Sequence, residues 1–133
     1  RILRPMAFQI GPKGRFVGLD LQAAMLRQCA QHMKELDHGE LIHCDVSKTW
    51  PLKSSFDRVV MVTVLGEIPN RPALLRKIRS HLNEDGILSI TEVLPDPCFQ
   101  TRVAIRKMCE SEGFIFDQTF RNLVAFTMNF RRA

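Results

Sequence analysis

The feature that most constrains the fold is an almost unbroken run of β-branched and apolar residues, Phe56 to Val64 (FDRVVMVTV). Such a run is typical of a strand covered on both faces, so it predicts a central strand in a parallel sheet. The helical spacing of Arg71 to Leu82 and a second apolar run, Ile87 to Val93, follow it. Strand, helix and strand in this order indicate a parallel α/β fold.

The rest of the chain alternates in the same way. The other predicted elements are the end of a helix over 1–10, a strand over 15–19, a helix over 22–36, a strand over 41–44, a helix over 101–112, and strands over 114–120 and 124–130. Turns are predicted at 11–14 and 83–86, and a rigid extended segment at 94–97. The last two strands are joined by a short connection, which indicates an antiparallel hairpin. We therefore expect one domain over residues 1–133: a Rossmann-like, mostly parallel sheet with helices on both faces and a C-terminal antiparallel hairpin.

Length and charge narrow the class of protein. The 133 residues suffice for one compact domain, and no apolar run approaches the ~20 residues of a membrane span. The net charge of +5 admits an acidic partner, but the basic residues are spread along the chain, so nucleic acid is disfavoured. The densest group, Arg71, Arg76, Lys77 and Arg79, is expected to form the solvated face of a helix. The residues expected to face inward from that helix are Leu74, Leu75, Ile78 and Leu82.

Cysteine and histidine spacing gives no metal-binding pattern. The four cysteines, Cys29, Cys44, Cys98 and Cys109, contain no Cys-x-x-Cys pair, and the four histidines contain no His-x-x-x-His pair. We predict no metal site. We expect reduced, mostly buried thiols in a cytoplasmic protein.

Two aspartates stand where predicted strands end. Asp20 comes directly after one strand and before a helix, so it can bind a ribose diol at the carboxyl edge of the sheet or cap the helix. Asp45 follows the next strand, where it can accept the exocyclic amine of an adenine or close an Asx-turn. Gly11 to Gly14 is not a phosphate loop, because the strand comes after the glycines rather than before them.

A series of short motifs resembles class I S-adenosylmethionine-dependent methyltransferases in order and spacing. The motifs are Gly18-Leu19-Asp20 with Met25-Leu26, His43-Cys44-Asp45-Val46, Trp50-Pro51-Leu52 with Ser55 to Val60, Val64 to Pro69, the helix start Arg71 to Leu75, and Leu82 to Leu88. A further run, Thr91 to Pro97, is similar to the ubiquinone/menaquinone-biosynthesis-like (methyltransferase type 11) branch. The resemblance covers nearly the whole chain.

The resemblance implies S-adenosylmethionine as cofactor and a set of binding residues. Asp20 would bind the ribose, with Leu21 packed beside it. Asp45 and Val46 would flank the adenine, and Val62 would border the methionine part. The catalytic residues stay unknown, and no general base is demanded, because the cofactor's methyl group is already activated and the site chiefly aligns the acceptor and excludes water.

Two further pairs of residues leave alternatives open. Glu67 and Glu92 lie near predicted strand ends and are candidate general bases, although structural carboxylates are more usual there. Phe99 and Phe126 are candidate walls of an acceptor pocket, although aromatic residues more often belong to the core.

The chain departs from the family pattern at its start. The family's first strand and its Gly-x-Gly-x-Gly loop have no counterpart, so we expect an N-terminally truncated domain. Two buried strands would then each lack a neighbour, which leaves edges free to pair with each other, with residues 1–10 or with another chain in an oligomer.

The function expected first is methyl transfer to an unidentified small-molecule acceptor, with this chain carrying the adenosine side of the cofactor site. The alternative is a truncated, non-catalytic interaction module or an inactive fragment. A nicotinamide-dependent oxidoreductase shares the ribose-binding acid but does not explain Asp45 together with the closing hairpin. A nucleic-acid-binding module is motivated only by charge.

Overall fold

The computed structural model describes residues 3–35 and 38–133. They form two compact units, Arg1–Pro51 and Leu52–Ala133, each taken by itself below. The expectation of a single methyltransferase domain over 1–133 stays a prediction. Arg1 and Ile2, and Leu36 and Asp37 at the predicted end of the second helix, lie outside the described residues.

The first unit has two helices and two parallel strands. They are α1 (Leu3–Ile10), β1 (Phe16–Asp20), α2 (Ala23–His32) and β2 (Gly39–His43), with β1 paired to β2 from Phe16↔Gly39 to Asp20↔His43. Pro5 lies in the first turn of α1, where its missing N–H costs no helical hydrogen bond. The turn predicted at 11–14 is present, and Gly11 ends α1 with a φ of 76°. The predicted strand end is wrong by one residue, because Asp20 still pairs with β2 and belongs to β1.

Only one end of α2 is packed. The core of this unit is Ala7, Phe16 and Met33, with Cys29 and Leu41 packed partly against it. Of the apolar stripe in the predicted helix, Leu21 is 62% exposed and Met25 is also exposed. The helix ends at His32, earlier than predicted, and only its C-terminal end reaches the core.

The second unit contains a four-stranded mixed sheet. Its elements are β3 (Phe56–Val62), a 3₁₀ turn (Leu65–Glu67), α3 (Arg71–Ser80), β4 (Leu82–Val93), α4 (Arg102–Ser111), β5 (Phe114–Arg121) and β6 (Ala125–Arg132). The strand order is β3-β4-β6-β5, with β3 and β4 parallel and β6 antiparallel to both of its neighbours. The predicted α/β fold with a closing antiparallel hairpin is confirmed.

The prediction of a central β3 is wrong for this sheet. Among the described residues β4 is its only strand partner, Val60 is 39% exposed, and within β3 only Met61 is buried. An apolar run indicates that a strand prefers covered faces, but it carries no information on how many strands pair with its edges. The central position belongs to β4, between β3 and β6.

Two connections also differ from prediction. The turn expected at 83–86 lies inside β4 as a large bulge. Phe56 pairs with Leu82 and Arg58 pairs with Ile87, so the four residues 83–86 lie opposite Asp57 alone. The segment 94–97 is a turn rather than extended: the Asp96 N–H donates to Val93 O at 3.0 Å, and the Asp96 carboxylate accepts the Cys98 N–H at 2.7 Å.

The core of the second unit confirms the inward face predicted for α3 at Leu74, Leu75 and Ile78, whereas Leu82, predicted on the same helix, is buried in β4. Its buried residues include Leu74, Leu75 and Ile78 of α3, Ile105 and Cys109 of α4, Leu82, Leu88 and Ile90 of β4, and Phe126, Met128 and Phe130 of β6. Of the four cysteines, all free, only Cys109 is buried, so the expectation of mostly buried thiols is wrong. No helix in the described ranges is long and apolar enough to cross a bilayer.

The basic group on α3 is not simply a solvated face. Arg71 donates to Leu65 O at 3.0 Å, to Gly66 O at 2.9 Å and to Gln100 Oε1 at 3.2 Å. Arg79 donates to Gly113 O at 3.1 Å, and Arg76 pairs with Glu112 at 2.9 Å. The guanidinium fork has enough donors to bind several acceptors at once, so these arginines fix α3 to neighbouring segments. Lys77 is exposed as predicted, and its side chain makes no such contact with the residues that the structure describes.

Candidate functional site

Asp20 is the last residue of β1, and its carboxylate begins the turn into α2. Its Oδ1 accepts the Gln22 N–H at 2.7 Å, while Gln22 at the helix N-cap makes no side-chain cap bond. The alternative in which Asp20 caps α2 is therefore met in part: its carboxylate binds the N–H of the N-cap residue, but Gln22 itself is the N-cap. Within the described residues the second carboxylate oxygen accepts no hydrogen bond, so it remains available to a ligand hydroxyl.

Asp45 lies two residues beyond β2, beside the end of β1. The Cys44 N–H donates to Asp20 O at 3.0 Å and continues the strand ladder to the residue before Asp45. Asp45 Oδ1 accepts the Ser47 N–H at 3.0 Å and the Ser47 hydroxyl at 2.5 Å, and its Oδ2 lies 3.5 Å from Lys48 Nζ. The Asx-turn alternative is thus present. The bonds from Ser47, and then Lys48, lower the pKa of Asp45, which keeps the carboxylate ionised.

His43, to which the sequence assigned no role of its own, is the last residue of β2 and lies opposite Asp20. Its Nε2 lies 2.8 Å from Leu21 O. A carbonyl oxygen can only accept, so Nε2 carries the proton, and the bond fixes the segment after β1 to the end of β2. No sequence pattern marks this contact, because His43 and Leu21 are 22 residues apart along the chain.

A cavity of about 570 Å³ opens beside Asp20 in the first unit. Gly18, Leu19 and Asp20 of β1 line it, together with Met25 and Leu26 of α2. Pockets for small molecules usually measure about 300–1,000 Å³, and this cavity falls within that range. Arg4, Gln28, Gln31 and His32 also line it, so its walls are mixed rather than mainly apolar. Asp45 and Val46 do not line this cavity in the described part of the chain.

Val62 belongs to the second unit and is the last residue of β3. It is half-buried and pairs with Thr91 of β4. Thr63, which sequence reasoning missed, follows with a φ of 52°, a conformation rare for a β-branched residue. Backbone strain of this kind is concentrated at functional sites, and Thr63 lies at the carboxyl end of a parallel strand, where ligands bind in α/β folds.

Glu92 is a buried carboxyl group with half of its hydrogen-bonding capacity unused. Its side chain is 1% exposed; Oε2 accepts the Gln100 N–H at 3.2 Å, and Oε1 has no partner among the described residues. Burial is the main cause that raises its pKa, against the Gln100 N–H and Arg71, which lower it. Glu67, the other candidate base, is exposed.

The raised pKa of Glu92 predicts a pH dependence of stability. The folded state favours the neutral acid, so the stabilisation is complete at low pH and is lost as pH rises from the ordinary value of 4.5 towards the raised one. Glu92→Gln has no such titration and should therefore lose less stability between pH 4.5 and pH 8 than the wild type. Urea denaturation followed by circular dichroism at both pH values measures this, and parallel losses in the two proteins would contradict it.

The family is decided by comparison with known proteins. Residues 1–88 match the model of a methyltransferase domain. The chain belongs to this family. Demethylmenaquinone methyltransferases of Listeria welshimeri and Listeria monocytogenes are each 34% identical to it over 86 residues. The alignment covers 63% of this chain and 36% of theirs, so the chain spans about a third of the length of these relatives.

Solved structures show the same fold. An S-adenosylmethionine-dependent methyltransferase from Aquifex aeolicus aligns with a TM-score of 0.88 at 15% identity, over 98% of this chain and 76% of that one. A TehB-like methyltransferase from Corynebacterium glutamicum aligns with a TM-score of 0.75 at 15% identity, over 96% and 73%. The resemblance to class I methyltransferases of the menaquinone-biosynthesis-like type, and the Rossmann-like fold class, are confirmed. The roles of Asp20, Leu21, Asp45, Val46 and Val62 stay predictions.

Proposed function

We propose that this methyltransferase domain binds S-adenosylmethionine and takes part in methyl transfer to a small-molecule acceptor. The observation that carries the proposal is Asp20, which ends β1 with one carboxylate oxygen unbonded among the described residues and lines a cavity of about 570 Å³. A magnesium protoporphyrin IX methyltransferase from Synechocystis, solved with bound S-adenosylmethionine, has the same fold at 18% identity and a TM-score of 0.74, over 97% of this chain and 63% of its own.

The side chains at this site fit the adenosine end of the cofactor. A carboxylate can accept two hydrogen bonds from a ribose diol, and the unbonded oxygen of Asp20 supports that role. The apolar Met25 and Leu26 line the same cavity and can contact the ribose and adenine faces. In this proposal Leu21 packs beside the ribose, and Asp45 and Val46 flank the adenine. Asp45 would use Oδ2, since Ser47 engages its Oδ1.

The protein's part in the reaction is binding, orientation and exclusion of water. The cofactor, when bound, supplies an activated methyl group, so the chain need only hold it and the acceptor in line. Val62 at the end of β3 is proposed to border the methionine part. Neither candidate base is required, because the methyl group is already activated. Glu67 is exposed and Glu92 is buried.

An oligomer formed through unpaired strands stays a proposal. The edge of β3 that faces away from β4 pairs with no strand in the described part of the chain, which supports it.

Replacing Asp20 tests the cofactor site. Asp20→Ala is expected to weaken the binding of S-adenosylhomocysteine, the demethylated product, at least about tenfold, because charge-assisted hydrogen bonds contribute roughly 1.5–3 kcal/mol each. Asp20→Asn can still accept the Gln22 N–H, so it separates loss of the ligand bond from loss of the turn. Isothermal titration calorimetry gives both affinities.

Asp85→Ala removes an exposed carboxylate from the bulge in β4, and Asp85 does not belong to the residues that line the cavity. It should leave the affinity unchanged. Equal affinities for wild type and Asp20→Ala would exclude Asp20 as a ribose ligand. No heat of binding at millimolar S-adenosylhomocysteine would instead favour the alternative, a non-catalytic interaction module. Binding without methyl transfer to any acceptor would point to a cofactor-binding fragment.

A further inference from the structure

A small pocket lies at the carboxyl end of β4, between the β5–β6 turn and the start of α4. This tip pocket has a volume of about 160 Å³, and Leu94, Phe99, Arg102, Arg121, Val124 and Phe126 line it. The Leu94 N–H donates to Val124 O at 2.7 Å, and the Asn122 side chain accepts the Val124 and Ala125 N–H groups at 2.9 and 2.8 Å. The turn is therefore fixed by hydrogen bonds, at the sheet edge where α/β folds bind their ligands.

The inner wall of the tip pocket is aromatic. Phe99 and Phe126 meet edge to face with ring centroids 5.7 Å apart. Phe126 is buried, whereas Leu94 and Val124 at the mouth are exposed. An apolar cavity of about 150 Å³ is large enough to take benzene, so this pocket matches a single ring with a small substituent.

Two arginines give the tip pocket its charge. Arg102 and Arg121 both line it, no acidic residue does, and neither arginine forms an ion pair within the described ranges. Neighbouring arginines of the same unit are paired: Arg106 with Glu110 at 2.8 Å and Arg131 with Asp117 at 3.1 Å. Arg102 and Arg121 therefore give the pocket lining a positive charge that no acidic residue of the lining offsets.

We propose that the tip pocket is the methyl-acceptor site and that its ligand is a single-ring aromatic compound bearing a carboxylate or a comparable anionic group. This inference rests on the proposed function. The ring packs against Phe99 and Phe126, and the anion accepts hydrogen bonds from Arg102 and Arg121, whose planar forks match a carboxylate. A neutral ring leaves both arginines unpaired, and an inorganic anion leaves the aromatic wall uncovered.

Three probes separate these contributions: benzoate, benzyl alcohol as its neutral counterpart, and inorganic phosphate at equal ionic strength. Titrations followed by ¹H–¹⁵N correlation spectra need no cofactor. Benzoate is expected to shift the amides of 121–126 and to bind at least about tenfold more tightly than either other probe. Arg102→Gln and Arg121→Gln should each weaken benzoate about tenfold.

Lys107→Gln is the matched control, because it removes one exposed positive charge from α4 outside the pocket lining. It should leave benzoate affinity unchanged. Equal affinities for benzoate and benzyl alcohol, equal affinities for benzoate and phosphate, or shifts away from residues 121–126 would each overturn the proposal. If benzoate binds as expected but S-adenosylhomocysteine does not bind at all, the proposed function and the acceptor role fail together, and only an aromatic-anion site stands.

Discussion

Phe130→Ala is expected to lower the free energy of unfolding by about 3–5 kcal/mol, the usual cost of emptying a buried phenylalanine site. Phe130 is 0% exposed, pairs with Leu88 in the β4–β6 ladder, and meets Phe116 edge to face at 5.9 Å. Because domains of this size are stable by only about 5–15 kcal/mol, the variant should unfold at far lower urea concentration. Denaturation followed by circular dichroism measures the shift.

Phe120→Ala removes the same side chain from the neighbouring strand, where it is 56% exposed. Its cost should stay below about 1 kcal/mol, because surface substitutions rarely matter more. Similar losses in the two variants would show that the second unit is not packed around Phe130 as described.

Gly66→Ala is expected to destabilise the second unit by about 3 kcal/mol, the upper end of the range for overpacking. A Cβ at this position would lie 1.8 Å from the backbone oxygen of Cys98, and a backbone atom cannot move aside cheaply. Arg71 donates to Gly66 O at 2.9 Å, so a shift of the glycine would also strain this hydrogen bond. The substitution should therefore separate the segment after β3 from the segment after β4.

Hydrogen exchange of the Gln100 N–H, which donates to Glu92, reports that separation along with the loss of stability. Glu67→Ala is the control, since it changes the next residue of the same 3₁₀ turn at an exposed position. A wild-type exchange rate and stability in Gly66→Ala would mean that the two segments are not in contact.

The order of helices and strands was predictable from the sequence, because the spacing of apolar residues indicates which face of each element is buried. The inward residues of α3 and α4 follow helical spacing, and the hairpin β5–β6 follows from two strands with a short connection. The edge position of β3 was not predictable, since it depends on which other strands reach its backbone. The bulge at 83–86 likewise depends on pairing with Phe56, which lies far away in the sequence.

The candidate site was predictable from the sequence only as far as the ends of the strands were predictable. Asp20 and Asp45 lie at the carboxyl ends of β1 and β2 because parallel strands bring those ends together. The bond from His43 to Leu21 O, the left-handed backbone of Thr63 and the unpaired oxygen of Glu92 each depend on a partner or a conformation set by tertiary structure. The spacing of apolar residues along the sequence does not predict contacts of this kind.

In the proposed function, the carboxyl ends of β1 and β2 hold the adenosine part of the cofactor. Titration of the ¹⁵N-labelled protein with S-adenosylhomocysteine, followed by ¹H–¹⁵N correlation spectra, tests it most directly. We expect saturable shifts concentrated in the amides of 18–21 and 44–46. Spectra that do not change at millimolar ligand, or that change only elsewhere in the chain, would contradict it.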